Sequence, residues 1–232
     1  MIPDWAVPAA LRLWPGLGNP VWKDRRAAAL ALGPALAVRV APQRVRRKLD
    51  PRAAATIKEG FLIQGLDQMP KQDVRDLYTY FDMLDVARHG ENMAATRLYR
   101  WLKASWEAGR PVTGRGQVFD SEERIADYYR TYLELYRSLQ RDGYRYDGAD
   151  EICFGIGADG EIFHIRRGTH RLAAAHILEL PSVSGRITHI DRRFATQAVA
   201  AAGARPGGTT AILADAIQAA IDRPVADEAN RQ

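Results

Sequence analysis

The stretch Asp159–Ile187, DGEIFHIRRGTHRLAAAHILELPSVSGRI, concentrates the residues of this chain that can do chemistry. Gly168 falls where a β-type run hands over to a helix-type run. A glycine there permits unusual dihedrals and a close approach of backbone to a ligand. The start of the following helix offers backbone N–H groups and the positive end of the helix dipole. Those are the parts of a phosphate or carboxylate site. Arg166, Arg167, His170 and Arg171 crowd the same point. So many cations at one helix start repel each other unless an anion compensates them. A structural reading of the same residues is also open. In it, Arg166 and Arg167 are edge-strand charges, Thr169 caps the helix and Arg171 pairs with a carboxylate.

Four of the five histidines, His164, His170, His176 and His189, fall within 26 residues. His170 and His176 are six apart, which puts them on different helix faces and not in the i, i+4 pairing of a helical metal site. The pattern therefore argues for His170 at the anion and His176 in a structural role. His189 follows Arg186 and precedes Arg192-Arg193 at a strand end, where it would extend the anion site. No metal-ligand set is identified.

The elements that position these residues follow from periodicity. Ile152–Ile156 and Ile162–Ile165 read as strands joined by the tight turn Ala158-Asp159-Gly160, a hairpin. Gly168–Leu180 reads as a helix, Val183–Ile190 as a further strand, Arg193–Ala201 as a helix and Thr210–Ile221 as a final helix. Upstream, helical spacing appears over Val74–Ala87, Met93–Ala108 and Ser121–Arg141. Asp120 with Glu123 has the capping-box pattern for the last of these. The tyrosines of Asp127–Tyr136 stand at helical spacing and read as core before they read as a stacking platform. The fold class expected is α+β. The expected divisions are a basic Pro/Arg-rich segment at 1–52, a helical region at 53–110, a small mixed-sheet domain at 111–203, and a linker with a C-terminal helix at 204–232.

Charge is distributed unevenly. The 232 residues carry a net charge of +5. Residues 1–52 alone hold 10 Lys/Arg and 3 Asp/Glu, so the remainder is slightly acidic. A general basic surface for nucleic acid is therefore a poor reading, and specific DNA binding is not expected. The apolar run Ala27–Val38 is far short of a membrane span. Followed by Arg44, Arg46, Arg47 and Lys48, it suits contact with an anionic membrane surface or another anionic partner. An ordinary solvated basic face is the competing reading. The single cysteine, Cys153, excludes an internal disulfide and points to a reducing compartment. A cytoplasmic protein, at most peripheral to the membrane, is expected.

The run Gly168-Thr169-His170-Arg171-Leu172-Ala173-Ala174-Ala175, after a hairpin with a DG turn and before the Val183–Ile187 strand, resembles the nucleotide-binding core of the ParB/sulfiredoxin-like superfamily. The similarity is local, covering about 151–190. It implies that Gly168, Thr169, His170 and Arg171, with Arg166, Arg167 and His189 beside them, bind the phosphates of ATP or CTP, with Mg²⁺. Three departures qualify it. Thr169 stands where sulfiredoxins have their cysteine, which removes the thiolate nucleophile. Only 42 residues follow Ile190, too few for the DNA-binding and dimerisation domains of partition proteins. Arg167 stands where relatives often carry an acid.

Some members of the superfamily are small-molecule kinases. The resemblance thus implies phosphoryl transfer to a small acceptor or nucleotide hydrolysis, which needs a carboxylate near the phosphate. Glu151 is the candidate base, with Asp150, Asp159 and Glu161 as further acids. Its catalytic partners would be His170 and Arg171. The alternative is a non-catalytic nucleotide-sensing module that binds DNA, a protein or a membrane through residues 1–52.

Overall fold

The computed structural model describes residues 6–7, 16–57, 59–114, 116–145, 152–203 and 208–224. Runs of apolar, β-branched residues collect into a seven-stranded mixed sheet. Its main path runs β1 (Ala37–Val40), β9 (Val183–Asp191), β7 (Ile152–Ile156), β8 (Ile162–Arg166), β2 (Arg47–Leu49), β4 (Lys71–Asp73), and β3 (Leu62–Ile63) also pairs with β9. β7 is parallel to β9 and antiparallel to β8. All five residues of β7 are buried, as a central strand covered on both faces requires. The class is α+β, and the hairpin and the β9 strand lie where the periodicity puts them.

The N-terminal residues change the expected divisions. β1 pairs with β9 over Ala37–Val40, and β2 pairs with β8 at Lys48 and His164. Residues 37–49 thus supply strands to the same sheet as residues 152–191, and no separate segment ends at 52. Trp22 is fully buried, and its indole N–H donates to the Gly16 carbonyl at 3.1 Å. The basic run is engaged internally. Arg44 donates to the carbonyls of Ala220 and Ile221, and Arg47 pairs with Glu161. Arginines at a helix C-terminus satisfy its last carbonyls, so Arg44 fastens α8 (Gly208–Asp222) to the sheet. Among the described residues, no helix is long and apolar enough to cross a membrane.

The helices are α1 (Arg25–Leu32), α2 (Pro51–Thr56), α3 (Tyr78–His89), α4 (Arg97–Glu107), α5 (Glu122–Asp142), α6 (Thr169–Ile177), α7 (Arg192–Ala202) and α8. The N-cap of α5 is Ser121, whose side chain accepts from the Arg124 N–H at 3.3 Å. It takes the position assigned to Asp120, which instead pairs with Arg124 through its side chain. α6 carries the chain from β8 across β7 to β9. Leu172–His176 are all buried because the helix lies between two layers. Leu172 and Ala175 join the sheet core. Ala173 and Ala174 meet Met83 and Val86 of α3 and Tyr129, Tyr132 and Leu133 of α5. The three consecutive alanines Ala173–Ala175 carry little side-chain volume, which sets the close spacing between the layers. The hairpin β5 (Val112–Gly114) and β6 (Gln117–Phe119) closes the far end of the α3–α5 layer.

Candidate functional site

Gly168 is the N-cap of α6, in the left-handed region at φ 64° and ψ 20°, and it provides no side-chain cap. A Cβ placed on it would meet Cγ1 of Ile152 at 2.6 Å. The glycine is needed both for its dihedrals and for room against the first residue of β7. Arg167 precedes it, also at positive φ, 59°. Such a conformation costs a non-glycine residue about 1–2 kcal/mol and persists only where neighbours enforce it. The neighbour is His164, whose Nε2–H donates to the Arg167 carbonyl. His164 is completely buried, and burial holds its ring neutral, with the pKa lowered to about 4; the Lys48 ammonium pushes the same way. A neutral ring bonded to a carbonyl must carry its proton on Nε2. Nδ1 has no hydrogen-bond partner. His164 is therefore a positioning residue for the turn.

A cavity of about 470 Å³ opens at this turn, lined by Arg167, Gly168, Thr169, His170 and Arg171 and, from α5, Thr131, Tyr132 and Leu135. Lys48 reaches in from β2, its Nζ donating to Thr169 Oγ1 at 3.2 Å. Arg167 also lines a second cavity of about 310 Å³, with Arg25, Arg26, Arg166, Arg186 and Cys153 among its walls. None of the described residues lining these two cavities is a carboxylate. On the other side, His170 and Tyr132 line a third cavity of about 600 Å³ between α3, α4, α5 and the β5–β6 hairpin. The two rings stack at 4.4 Å between centroids and 22° between planes. The three cavities thus form one chain: an arginine basin, the helix start, and an aromatic chamber.

The sequence-derived residues distribute as follows. Gly168, Thr169, His170, Arg171 and Arg167 meet at the helix start. Arg166 lines the arginine basin beside Arg167 and does not line the helix-start cavity. His189 does not extend the anion site and lines none of the three cavities. It is fully buried, its Nε2 bonding the Ile57 carbonyl at 2.9 Å and its Nδ1 the Thr188 hydroxyl at 2.8 Å. The β7–β9 register slips here, with Phe154 opposite Ile187 and Gly155 opposite His189, and the His189 ring is turned to Ile57 and Thr188 and away from the basin. His176 bonds the Val45 carbonyl at 3.2 Å, and burial lowers its pKa. Asp150 and Glu151 lie outside the described residues. Asp159 accepts the Glu161 N–H at 2.9 Å, a turn role.

Asp67, Asp159 and Glu161 do gather closely enough to share a cation. They lie at the Ile162 end of β8, and the helix start lies at its Arg166 end. Four residues of strand separate the two ends, roughly 13 Å at the usual rise. The acids are also met by Arg47 and Arg193, so they form a charge network at the opposite rim.

Three groups of the site were not placed there by the sequence. Lys48 arrives through pairing with a strand more than a hundred residues away. Asp82 and Arg97 form an ion pair at 3.1 Å in the wall of the aromatic chamber. Asp82 is 5% exposed, and burial raises its pKa against the opposing pull of Arg97. Its signal was hidden, because the buried positions of α3 are Thr79, Asp82, Met83 and Val86, whereas the apolar Tyr78 and Phe81 are exposed. Comparison with protein-family models, with curated proteins and with solved structures found no match for this chain.

Proposed function

We propose that this protein binds a nucleotide, with its phosphates at the Gly168–Arg171 turn. One observation carries the reading. A helix start without a side-chain cap is held open by a glycine in a left-handed conformation and ringed by Lys48, Arg167 and Arg171. Backbone N–H groups, the helix dipole and fixed cations converge there, which is the physical requirement for a phosphate. The arginine basin continues from the turn and gives a polyphosphate chain further positive partners. ATP or CTP is the class of ligand, in keeping with the resemblance to the ParB/sulfiredoxin-like core. A cytoplasmic protein follows from the same reading.

Among the described residues, no carboxylate lines the helix start or the arginine basin, and the one acidic cluster sits at the other end of β8. The candidate base Glu151 lies outside the described residues and directly precedes Ile152, which abuts Gly168, so nucleotide binding is the function proposed and turnover is tested beside it. Arg44, Arg47 and Lys48 are engaged within the fold, which weighs against membrane or DNA contact through residues 1–52.

The test is a thermal-shift titration with ATP, CTP and inorganic triphosphate, with and without Mg²⁺, together with chromatography for turnover. A ligand at a hundred times its Kd stabilises by about 2.7 kcal/mol, roughly 5–10 °C for a chain of this size. Arg171→Ala removes a charge-assisted contact worth about 1.5–3 kcal/mol, so affinity is expected to fall roughly 10- to 100-fold. No shift with millimolar nucleotide or triphosphate would reject the reading. Turnover abolished by Arg171→Ala would restore the enzyme reading.

A further inference from the structure

We infer that the aromatic chamber seats the nucleobase of the ligand whose phosphates lie at Gly168; the inference rests on the phosphate reading above. The chamber and the helix start share one wall, the stacked rings of His170 and Tyr132. A ligand anchored by its phosphates at the turn reaches the chamber by passing this pair. A volume of about 600 Å³ falls within the range of small-molecule sites.

The walls specify what enters. Aromatic faces dominate: Trp101 and Tyr78 at the mouth, Phe119, Tyr128 and Tyr132 within. Tyr128 lies 4.7 Å from Phe119 and 4.8 Å from Tyr132 by ring centroids, so the rings form a continuous surface running to His170. Tyr78 is 72% and Trp101 54% exposed. Large aromatics left open at a cavity mouth mark a binding surface. Stacking on such rings suits any flat conjugated ring. The polar feature is the Asp82–Arg97 pair, an acceptor beside a donor. A nucleobase edge carries both donors and acceptors and can satisfy the pair. An alkyl or isoprenoid tail offers the pair no further hydrogen bond and would take the exposed Arg97 guanidinium out of water.

Trp101→Ala is the variant of choice because its ring is half exposed and its loss leaves the core intact. Binding of ATP, CTP and inorganic triphosphate to the full chain is measured by calorimetry, alongside Arg171→Ala. Stacking of one base is worth about 1–3 kcal/mol. Trp101→Ala is therefore expected to weaken the nucleotide roughly 5- to 100-fold while leaving inorganic triphosphate unchanged. Arg171→Ala is expected to weaken both. If wild-type protein binds triphosphate as tightly as nucleotide, or Trp101→Ala leaves nucleotide affinity unchanged, the base seat is overturned while the phosphate reading stands. Geranyl phosphate binding more tightly than a nucleoside monophosphate would also overturn it, in favour of an alkyl occupant. If no phosphate compound binds, the phosphate reading falls and takes the shared ligand with it.

Discussion

Alanine at position 168 is expected to destabilise the protein by roughly 3 kcal/mol and to abolish nucleotide binding at the helix start. Two costs combine. The left-handed conformation costs a residue with a Cβ about 1–2 kcal/mol. The new Cβ also meets Ile152 Cγ1 at 2.6 Å, and the Ile152 Cα stands at 3.5 Å. Ile152 is fully buried in the central strand, and its β-branched side chain is stiff. It cannot swing aside, so overpacking adds about 1–3 kcal/mol. Gly65 supplies the control. It has nearly the same dihedrals, φ 71° and ψ 23°, but a Cβ there meets only the side-chain oxygen of Gln68 at 3.3 Å. Gly65→Ala should therefore cost about 1 kcal/mol, the conformational part alone. Urea midpoints of the two variants separate the terms. Equal losses would mean that Ile152 yields and that the close approach of β7 to the turn does not matter.

That contrast also shows what the sequence could carry and what it could not. The glycine between a strand and a helix was legible as a special position, because the period changes from two to 3.6 across it. β7, β8 and β9 followed from the same change to within one residue, whereas α6 ends at Ile177, three residues short of the expected Leu180. The partner that makes the glycine indispensable, Ile152, was legible only as a core strand residue. Long-range pairing hid more. β1 and β2 are three or four residues long in a segment full of proline and arginine, and their partners lie more than a hundred residues on. Nothing local announces such strands, so the basic run read as an appendage. Its cations instead serve the fold and the site: Lys48 at Thr169, Arg47 at Glu161, Arg44 at the end of α8.

The tyrosines of α5 illustrate a different limit. Periodicity marks them as buried, which Tyr129 and Tyr132 are. It does not show that Tyr132 presents a ring face to His170. Core and site are the same residues here, because the helical layer that covers α6 also walls the chamber. The exclusion of His189 from the anion site was not legible by counting faces along β9, because the β7–β9 register slips between Ile187 and His189.

Acid is expected to weaken the fold well above the range in which carboxylates titrate. His164 and His189 are both neutral in the folded protein, each with a pKa lowered from 6.5 to about 4. Burial is the main cause for both. The hydrogen bonds to the carbonyls of Arg167 and Ile57 oppose it, and the nearby Lys48 and Arg25 charges reinforce it. The unfolded chain takes up protons on these rings near pH 6.5, and the folded chain does not until about pH 4. The unfolded state thus binds more protons across that window, and stability falls as pH falls through it. Between pH 7.5 and pH 5 the loss is about 2 kcal/mol per histidine, roughly 4 kcal/mol for the pair. Urea midpoints at pH 7.5, 6.5, 5.5 and 5 should descend accordingly. His164→Gln with His189→Gln keeps a donor for each carbonyl and removes both titrations, so the same series should flatten by most of that amount. A wild-type series that is flat above pH 5, or a double variant with the wild-type slope, would show that these rings are not held neutral by burial. The His164 half of the effect bears directly on the site. Its Nε2–H fixes the carbonyl of Arg167, and on that strained residue the orientation of Gly168 and the start of α6 depends.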